Sequence, residues 1–339
     1  MRVALIYQGS NAPWRRHTEL YMNDCRQAQD IKRILTQKGI VASIWDSIDS
    51  YLENRPGRDT KDELAFSLIE NCFERNRAAL VPAIWELMGI PYVGNDAYAF
   101  TITADKLLFQ DQCQKLGLKC PRSFEISSDM STEAIQCSIL ANHFDYPLIL
   151  KYRYGSMSHG LAMVHNLEAL LSETKRLLAN EPDSSILCQE YIPGIEATVP
   201  IVGTGESAHA LALVQYAAPG QKPLHLYNKE WKFELDHLVD LISFPSEDAF
   251  TQKVLNDCLA LHRHLGLLDV SRVDLRITAE KQVYILEANC LPSLGYGGAF
   301  DTVCYGGTQS FDDIILEIVQ SARSRNVKGD ENNGSRCNS

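Results

Sequence analysis

The sequence predicts a mixed α/β (α+β) protein in which a small parallel-sheet domain precedes a part built from antiparallel strands. Strand-like and helix-like stretches alternate near the N-terminus, beginning with an apolar strand at 2–9 and a helix at 20–39 that ends in glycine, as a capped helix does. Later, the segment 268–295 alternates apolar and charged residues on both sides of a turn, which indicates a β-hairpin. With 339 residues, the chain is long enough for two or three domains.

The remaining elements follow from the same periodicities. The segment 203–208 superficially fits a dinucleotide-binding glycine pattern, but the residues after it alternate like a strand, so we interpret it as a hairpin turn. The residues from Arg325 onwards are polar and rich in Asn, Gly and Ser, which predicts a disordered tail. Strands are predicted at 41–45, 64–71, 91–93, 123–126, 147–151, 185–191 and 198–202, and helices at 80–88, 104–117, 248–266 and 310–324.

The composition disfavours several classes of partner. The net charge is -11 and no run of Lys and Arg is longer than two residues, so the electrostatic signature of a nucleic-acid-binding protein is missing. No apolar run approaches the roughly 18 residues of a membrane span, and the N-terminal residues lack the pattern of a signal peptide. The 10 cysteines are scattered without a C-x-x-C pair. We therefore expect a cytoplasmic protein with free thiols and no membrane or nucleic-acid partner.

Four polar side chains in the predicted hairpin converge on one face. Side chains two apart on a strand share a face, which places Arg272 beside Asp274 and Glu287 beside Asn289. Carboxylate and amide oxygens next to a phosphate-sized space are the ligands that Mg2+ takes. A solvated polar face is the alternative, but the apolar run 284–286 predicts a buried strand, and a carboxylate that ends such a strand needs a cation. The pattern therefore favours a metal site.

Two lysines are candidate ligands of phosphate groups. Lys106 lies in the predicted helix at 104–117, and Lys151 ends a predicted buried strand, where a cation needs an anionic partner. The glycine- and serine-containing loop at 152–160 has backbone N–H groups that could bind phosphate, although no P-loop motif is present. An ordinary surface lysine is the alternative at both positions.

These motifs resemble those of the D-alanine–D-alanine ligase family of ATP-grasp enzymes. The RVD motif at 272–274 and the LEANCLP motif at 286–292 are similar to the metal-binding core of the family, and the segments 89–106, 146–151 and 189–203 agree with it in order and spacing. The resemblance implies the ATP-grasp fold, in which a pre-ATP-grasp parallel-sheet domain precedes two smaller antiparallel-sheet subdomains that hold the nucleotide between them. It places these three parts at 1–98, 99–188 and 189–324, and leaves the disordered tail at 325–339.

The resemblance also implies an ADP-forming ligase that uses ATP and Mg2+, with Mn2+ able to substitute. A carboxylate or carbonyl substrate would be activated as an acyl or enol phosphate, and a small amine would then displace the phosphate. A homodimer is the assembly that the resemblance suggests. It assigns Asp274, Glu287 and Asn289 to the metal, Lys106, Lys151, Gln189, Glu190, Tyr191, Ile192, Glu196, Lys229 and Leu286 to the nucleotide, and Arg272, Lys232 and Ser158 to catalysis.

The sequence departs from the family where the family recognises its amino acids. The glutamate that binds the first ammonium group is absent from the segment 9–14, and Arg75 and Arg77 lie in a segment that replaces a glycine-rich loop. Phe233 stands where the family has a tyrosine, and Gly298 stands where it has a serine. We therefore predict that the substrates are not two D-alanines. The protein would instead be an amino acid or dipeptide ligase of peptide or specialised-metabolite biosynthesis.

Two alternatives stay open. The first is a D-alanine:D-alanine ligase of cell-wall synthesis with a rebuilt pocket, and the second is a catalytically inactive nucleotide-binding regulatory protein. The complete set of Asp274, Glu287 and Asn289 argues against the regulatory protein, because a protein that only binds a nucleotide has less need of a metal site combined with an oxyanion-binding arginine.

Overall fold

The computed structural model describes residues 1–9, 23–55, 62–69, 79–155, 158–182, 184–220, 222–224, 239–306 and 309–334. These residues form one parallel and two antiparallel sheets, each covered by helices. This architecture confirms the predicted fold class. In the described part of the chain, no helix is long and apolar enough to cross a membrane.

The N-terminal domain is a four-stranded parallel sheet with the strand order β2-β1-β3-β4. Its elements are β1 (Arg2–Ile6), α1 (Asn23–Gln37), β2 (Val41–Trp45), α2 (Ile48–Asn54), β3 (Glu63–Ser67), α3 (Leu80–Met88) and β4 (Tyr92–Val93). Both faces of β1 are buried, since Val3 and Leu5 pack with α1 and the alternate residues Ala4 and Ile6 pack with α2 and α3. The strand predicted at 64–71 is shorter than expected and ends at Ser67.

The central subdomain contains a four-stranded antiparallel sheet with the strand order β5-β8-β6-β7. Its strands are β5 (Ser123–Ile126), β6 (Leu148–Tyr152), β7 (Ala162–Val164) and β8 (Ile186–Glu190), and its helices, with those that precede it, are α4 (Ala97–Ala104), α5 (Lys106–Lys115), α6 (Thr132–Ala141) and α7 (Leu167–Asn180). Ile135 of α6 and Leu170 of α7 pack on Leu148 and Leu150 of the sheet. The other face of the sheet therefore stays available to the cleft described below.

The C-terminal subdomain is built on a second antiparallel sheet. Its main strand order is β12-β11-β9-β14-β15, with β10 paired to β9 and β13 paired to β11. The predicted hairpin is confirmed as β14 and β15, and the predicted turn at 203–208 connects β9 to its partner β10. The elements are β9 (Ile195–Val202), β10 (His209–Ala210), β11 (Val214–Ala218), β12 (Lys222–Pro223), β13 (Asp240–Ser243), α8 (Ala249–His264), β14 (Val270–Ile277), β15 (Val283–Asn289) and α9 (Ala299–Thr302).

The last helix, α10 (Phe311–Gly334), packs against the N-terminal domain. Its apolar residues, among them Ile315 and Ile318, join the core around β1 and α1. Residues 325–334, which were predicted to be part of a disordered tail, instead continue this helix, and residues 335–339 lie outside the described residues. Arg325 fixes this continuation: its guanidinium donates to the buried carboxylate of Asp269 at 2.8 Å and lies 4.9 Å from the centre of the Tyr92 ring.

Candidate active site

The hairpin of β14 and β15 brings the predicted metal ligands together. Asp274 lies opposite Glu287, and Arg272 lies opposite Asn289. Two guanidinium N–H groups of Arg272 donate to the two carboxylate oxygens of Asp274, each at 2.8 Å. The side chains of Asn289 and Thr198 donate to the same carboxylate, at 2.9 and 2.6 Å. Asp274 is therefore held in one orientation at the floor of the site.

A β-bulge aims two consecutive residues of β15 into the cleft. The pairing register shifts between Asp274 and Leu275, so that Leu286 is the extra residue of β15. In a regular strand Leu286 and Glu287 would point to opposite faces, whereas here both line the same cleft. The bulge thus combines an apolar wall with a carboxylate at one place.

The donor set fits a hard divalent cation. Asp274 and Glu287 supply carboxylate oxygens, and the amide of Asn289 keeps its oxygen free of Asp274, which it contacts through nitrogen. The Glu287 carboxylate makes no hydrogen bond or ion pair with any residue that the structure describes. Elsewhere in the described ranges, no group of three or more His, Cys, Asp and Glu is placed to hold a metal. These three residues are therefore the candidate site for Mg2+ or Mn2+.

The arginine beside the metal site is firmly charged. Burial lowers the pKa of Arg272, but the carboxylate of Asp274 outweighs this effect and raises the pKa well above its usual value. Two of its N–H groups are committed to Asp274, and the guanidinium also lines the cleft. It is placed to offer its remaining N–H groups to an anion.

Lys106 and Lys151 both reach the cleft, from different elements. Lys106 is the first residue of α5 and its ammonium group donates to the carbonyl oxygen of Gly155, in the loop that follows β6. Lys151 lies in β6, and its ammonium group has no hydrogen-bond or ion-pair partner among the described residues. Burial lowers the pKa of Lys151, against the opposing fields of the Glu287 and Glu196 carboxylates. The two carboxylates offset part of the cost of this half-buried cation, and a ligand that brings an anion would offset the rest.

An ion pair fixes the start of α5. Asp105 caps this helix by accepting from the N–H groups of Leu107 and Leu108. The guanidinium of Arg153 donates to both oxygens of Asp105, at 2.8 and 2.6 Å, and to Glu125 at 2.8 Å. Because Lys106 follows Asp105 directly, the pair holds the lysine against the loop after β6.

The segment from β8 to β9 forms another wall of the cleft. Gln189 is buried and donates to Ser123 at 2.9 Å, and Glu190 pairs with Arg122 at 2.8 Å. The segment 192–194 contains Gly194, whose φ of 148° and close approach to the backbone of Ile277 leave no room for a side chain. The chain therefore crosses close over β14 at this point.

Arg276 is a cleft residue to which the sequence analysis gave no role. Only 3% of it is exposed, and it donates to the carbonyl oxygen of Gly194 at 2.7 Å and pairs with Glu196 at 3.5 Å. Its guanidinium also lies 5.1 Å from the centre of the Tyr191 ring. The sequence carried a signal for it, since Arg276 shares a strand face with Arg272 and Asp274.

One cleft of about 460 Å³ is lined by the metal-site residues, by Arg272 and Arg276, by the two lysines and by the wall from β8 to β9. The cleft also has residues that the sequence did not suggest, from α1 and from the loop between β15 and α9. Lys229, Lys232 and Phe233, and also Arg75 and Arg77, lie outside the described residues. The predicted residues that line the cleft are Lys106, Lys151, Ser158, Gln189, Glu190, Tyr191, Ile192, Glu196, Arg272, Asp274, Leu286, Glu287, Asn289 and Gly298.

The chain is similar to known proteins over most of its length. A family model described as "D-ala D-ala ligase C-terminus" matches residues 113–320, more than half of the chain. The chain is 26% identical to a D-alanine–D-alanine ligase of Herminiimonas arsenicoxydans, over 88% of this chain and 89% of the relative. It is also 26% identical to one of Janthinobacterium sp. (strain Marseille), over 88% of this chain and 93% of the relative.

Two solved structures share the fold. The D-alanine–D-alanine ligase from Bacillus anthracis complexed with ATP superimposes with a TM-score of 0.74 at 16% identity, covering 97% of this chain and 99% of that one. The VanG D-Ala:D-Ser ligase from Enterococcus faecalis gives a TM-score of 0.72 at 18% identity, covering 95% and 99%. The chain therefore belongs to the D-alanine–D-alanine ligase family, a family of ATP-dependent carbon–nitrogen ligases with the ATP-grasp fold.

Proposed function

We propose that the protein is an ADP-forming ligase that activates a carboxylate as an acyl phosphate and joins it to an amine, with substrates other than two D-alanines. The observation that carries the proposed ligase activity is a pair of charged groups in the cleft that make no hydrogen bond or ion pair with the described residues. In the described part of the chain, the Lys151 ammonium group and the Glu287 carboxylate feel each other's charge but make no hydrogen bond or ion pair. They lie beside an Asp274 that is already held by three side chains. Such charges are retained in a partly buried cleft when ligands satisfy them.

Each charged group has a place in phosphoryl transfer. Lys106 and Lys151 both line the cleft and would neutralise phosphate oxygens, which is the main demand of this chemistry on a protein. Asp274, Glu287 and Asn289 would hold Mg2+, which supplies positive charge to the phosphate groups when bound. The free N–H groups of Arg272 would stabilise the oxyanion that forms when the amine attacks the acyl carbon.

The nucleotide end of the cleft suits adenosine. One wall of the cleft is lined by Gln189, Glu190, Tyr191 and Ile192, which would bind the adenine, and Glu196 in the same cleft would bind ribose hydroxyl groups. Support comes from the relative of known structure that was obtained as a complex with ATP. Because every described cysteine is a free thiol, we place this ATP-consuming enzyme in the reducing cytoplasm. The homodimer that the resemblance suggests stays a prediction.

The proposal of changed substrates rests on the departures in the substrate pocket. Gly298 lines the cleft at the N-terminal end of α9. The family resemblance implies a serine at this position, and glycine has no hydroxyl group to offer a substrate. The VanG relative is named for D-Ala and D-Ser, which supports a family in which the second substrate varies. Peptide or specialised-metabolite biosynthesis is the setting that we propose.

A D-alanine:D-alanine ligase is the second candidate function. The relatives described above carry that name, and the same charged residues would serve its chemistry. A regulatory protein without catalysis is disfavoured, because it would have no need to keep Lys151, Glu287 and Arg272 together.

The experiment that separates these candidates measures ADP release from ATP and Mg2+ with D-alanine, L-amino acids, dipeptides and a cell extract. We expect turnover with acids other than D-alanine, loss of turnover in Glu287→Gln, and a condensed product in the mass spectrum. Turnover with D-alanine alone would establish the second candidate. Binding of ATP without ADP release under any of these conditions would overturn the ligase proposal.

A further inference from the structure

The substrate end of the cleft is built from α1 and from the loop at 291–298, which follows β15. Arg26, Gln27 and Asp30 lie on one side of α1 and all line the cleft. Gln27 accepts a hydrogen bond from the backbone N–H of Leu294 at 2.9 Å. The helix and the loop are thus fastened to each other around a shared space.

A second contact sets the position of this loop. Arg33 of α1 donates to the hydroxyl of Tyr296 at 2.6 Å, and that hydroxyl donates to Asp312 at 3.1 Å. The Tyr296 ring also packs on Phe311, with 4.8 Å between the ring centres. The loop therefore has contacts with both α1 and α10, and the cleft-facing side of α1 has a defined position relative to it.

Arg26 differs from the other arginines of the cleft. Arg272 is paired with Asp274, and Arg276 is paired with Glu196. Arg26 is also exposed at the mouth of the cleft, and its guanidinium makes no hydrogen bond or ion pair with any residue in the described ranges. Its five N–H donors are left for a ligand.

We propose that Arg26 binds a carboxylate of the substrate other than the one that is phosphorylated, so that one substrate is an amino acid with an acidic side chain. This inference rests on the proposed ligase function. Arginine is suited to a carboxylate because its planar guanidinium donates two parallel hydrogen bonds to it. Asp30, one helical turn further along α1, lies in the same cleft, with one carboxylate oxygen 3.9 Å from the Arg33 guanidinium. Its other carboxylate oxygen would accept from the ammonium group of an amino acid, which a substrate with only anionic groups would lack.

The test compares acidic amino acids with their uncharged amides. D- and L-glutamate and aspartate are each compared with glutamine and asparagine for ADP release, with D-alanine, L-alanine or glycine as the second substrate. Binding of the same compounds to the protein loaded with Mg2+ and ADP is measured by calorimetry. In the wild type we expect an acidic amino acid to be preferred over its amide by at least about tenfold, in kcat/KM or in Kd.

Variants of α1 assign the preference to one side chain. We expect Arg26→Met to lose about 10- to 100-fold for the acidic substrate and to leave the amide and the KM for ATP unchanged. Arg26→Lys should recover part of the preference. Lys32→Met is the matched control, because Lys32 is exposed on the same helix and does not line the cleft.

The possible failures are distinguishable. An equal response to acids and amides in the wild type, in turnover and in binding, would overturn the role of Arg26 while leaving the ligase function intact. The same conclusion would follow if Arg26→Met weakened acids and amides alike. If ADP release is absent with every substrate and no acidic amino acid binds, both the ligase function and this inference fail.

Discussion

Replacing Arg276 by methionine perturbs the nucleotide end of the cleft at one buried charge. The side chains of Arg276 and Glu196 are 4% and 14% exposed, so their ion pair is shielded from solvent in a way that surface pairs are not. The substitution also leaves the carbonyl oxygen of Gly194 without its donor and removes the cation beside the Tyr191 ring. Removing one partner of a buried pair costs about 3–5 kcal/mol. We expect about 3 kcal/mol of the free energy of unfolding to be lost, since water can reach Glu196 from the cleft.

The assay is urea denaturation of four proteins: wild type, Arg276→Met, Glu196→Gln and the double variant. Because each single variant already breaks the pair, the double variant should lose less than the two single losses together, by about 1–3 kcal/mol. The KM for ATP should rise in Arg276→Met, since the segment at 191–196 lines the nucleotide end of the cleft. Arg323→Met, at an exposed arginine of α10, is the control. A loss below about 1 kcal/mol, or single losses that add within about 0.5 kcal/mol, would refute the reasoning.

Two further substitutions test single groups. Lys151→Met should keep or raise the free energy of unfolding, because it removes a desolvated charge that makes no hydrogen bond or ion pair with the described residues. It should weaken ATP binding at least about tenfold in calorimetry, and a less stable protein with normal ATP affinity would contradict this. Burial lowers the pKa of His262 to about 4, so the unfolded chain takes up a proton near pH 6.5 that the folded protein excludes. The free energy of unfolding should therefore fall by up to about 3 kcal/mol between pH 6.5 and pH 4, at about 1.36 kcal/mol per pH unit. In urea denaturation, the free energy of unfolding of His262→Gln should not show this decrease.

The local features of the fold and site could be predicted from sequence periodicity. The hairpin of β14 and β15 follows from alternation and a turn, and alternation alone places Arg272 beside Asp274 and Glu287 beside Asn289. Lys106 and Lys151 could be recognised as candidate phosphate ligands from their positions alone, the first at the start of a helix and the second in a buried strand. These are short-range patterns, which the sequence records directly.

Features that depend on distant pairing could not be predicted in this way. The bulge at Leu286 comes from the register between two strands, and the ion pair of Arg276 with Glu196 comes from the pairing of β14 with β9. Arg325 belongs to a polar stretch whose composition is typical of a disordered tail. Its ion pair with the buried Asp269 explains why the helix extends beyond the predicted end at residue 324. Likewise, the side of α1 that carries Arg26 faces the cleft only because of how the helix docks on the loop at 291–298.

The most direct test of the central claim is the binding of ATP, measured by calorimetry with and without Mg2+, to the wild type and to Glu287→Gln. Glu280→Gln is the matched control, because Glu280 lies exposed in the turn of the same hairpin, away from the cleft. We predict that Mg2+ strengthens ATP binding to the wild type and to the control, and that Glu287→Gln loses at least about tenfold of the affinity for ATP in the presence of Mg2+. Equal ATP affinity in all three proteins, with and without Mg2+, would contradict the assignment of Asp274, Glu287 and Asn289 as the metal site of an ATP-dependent ligase.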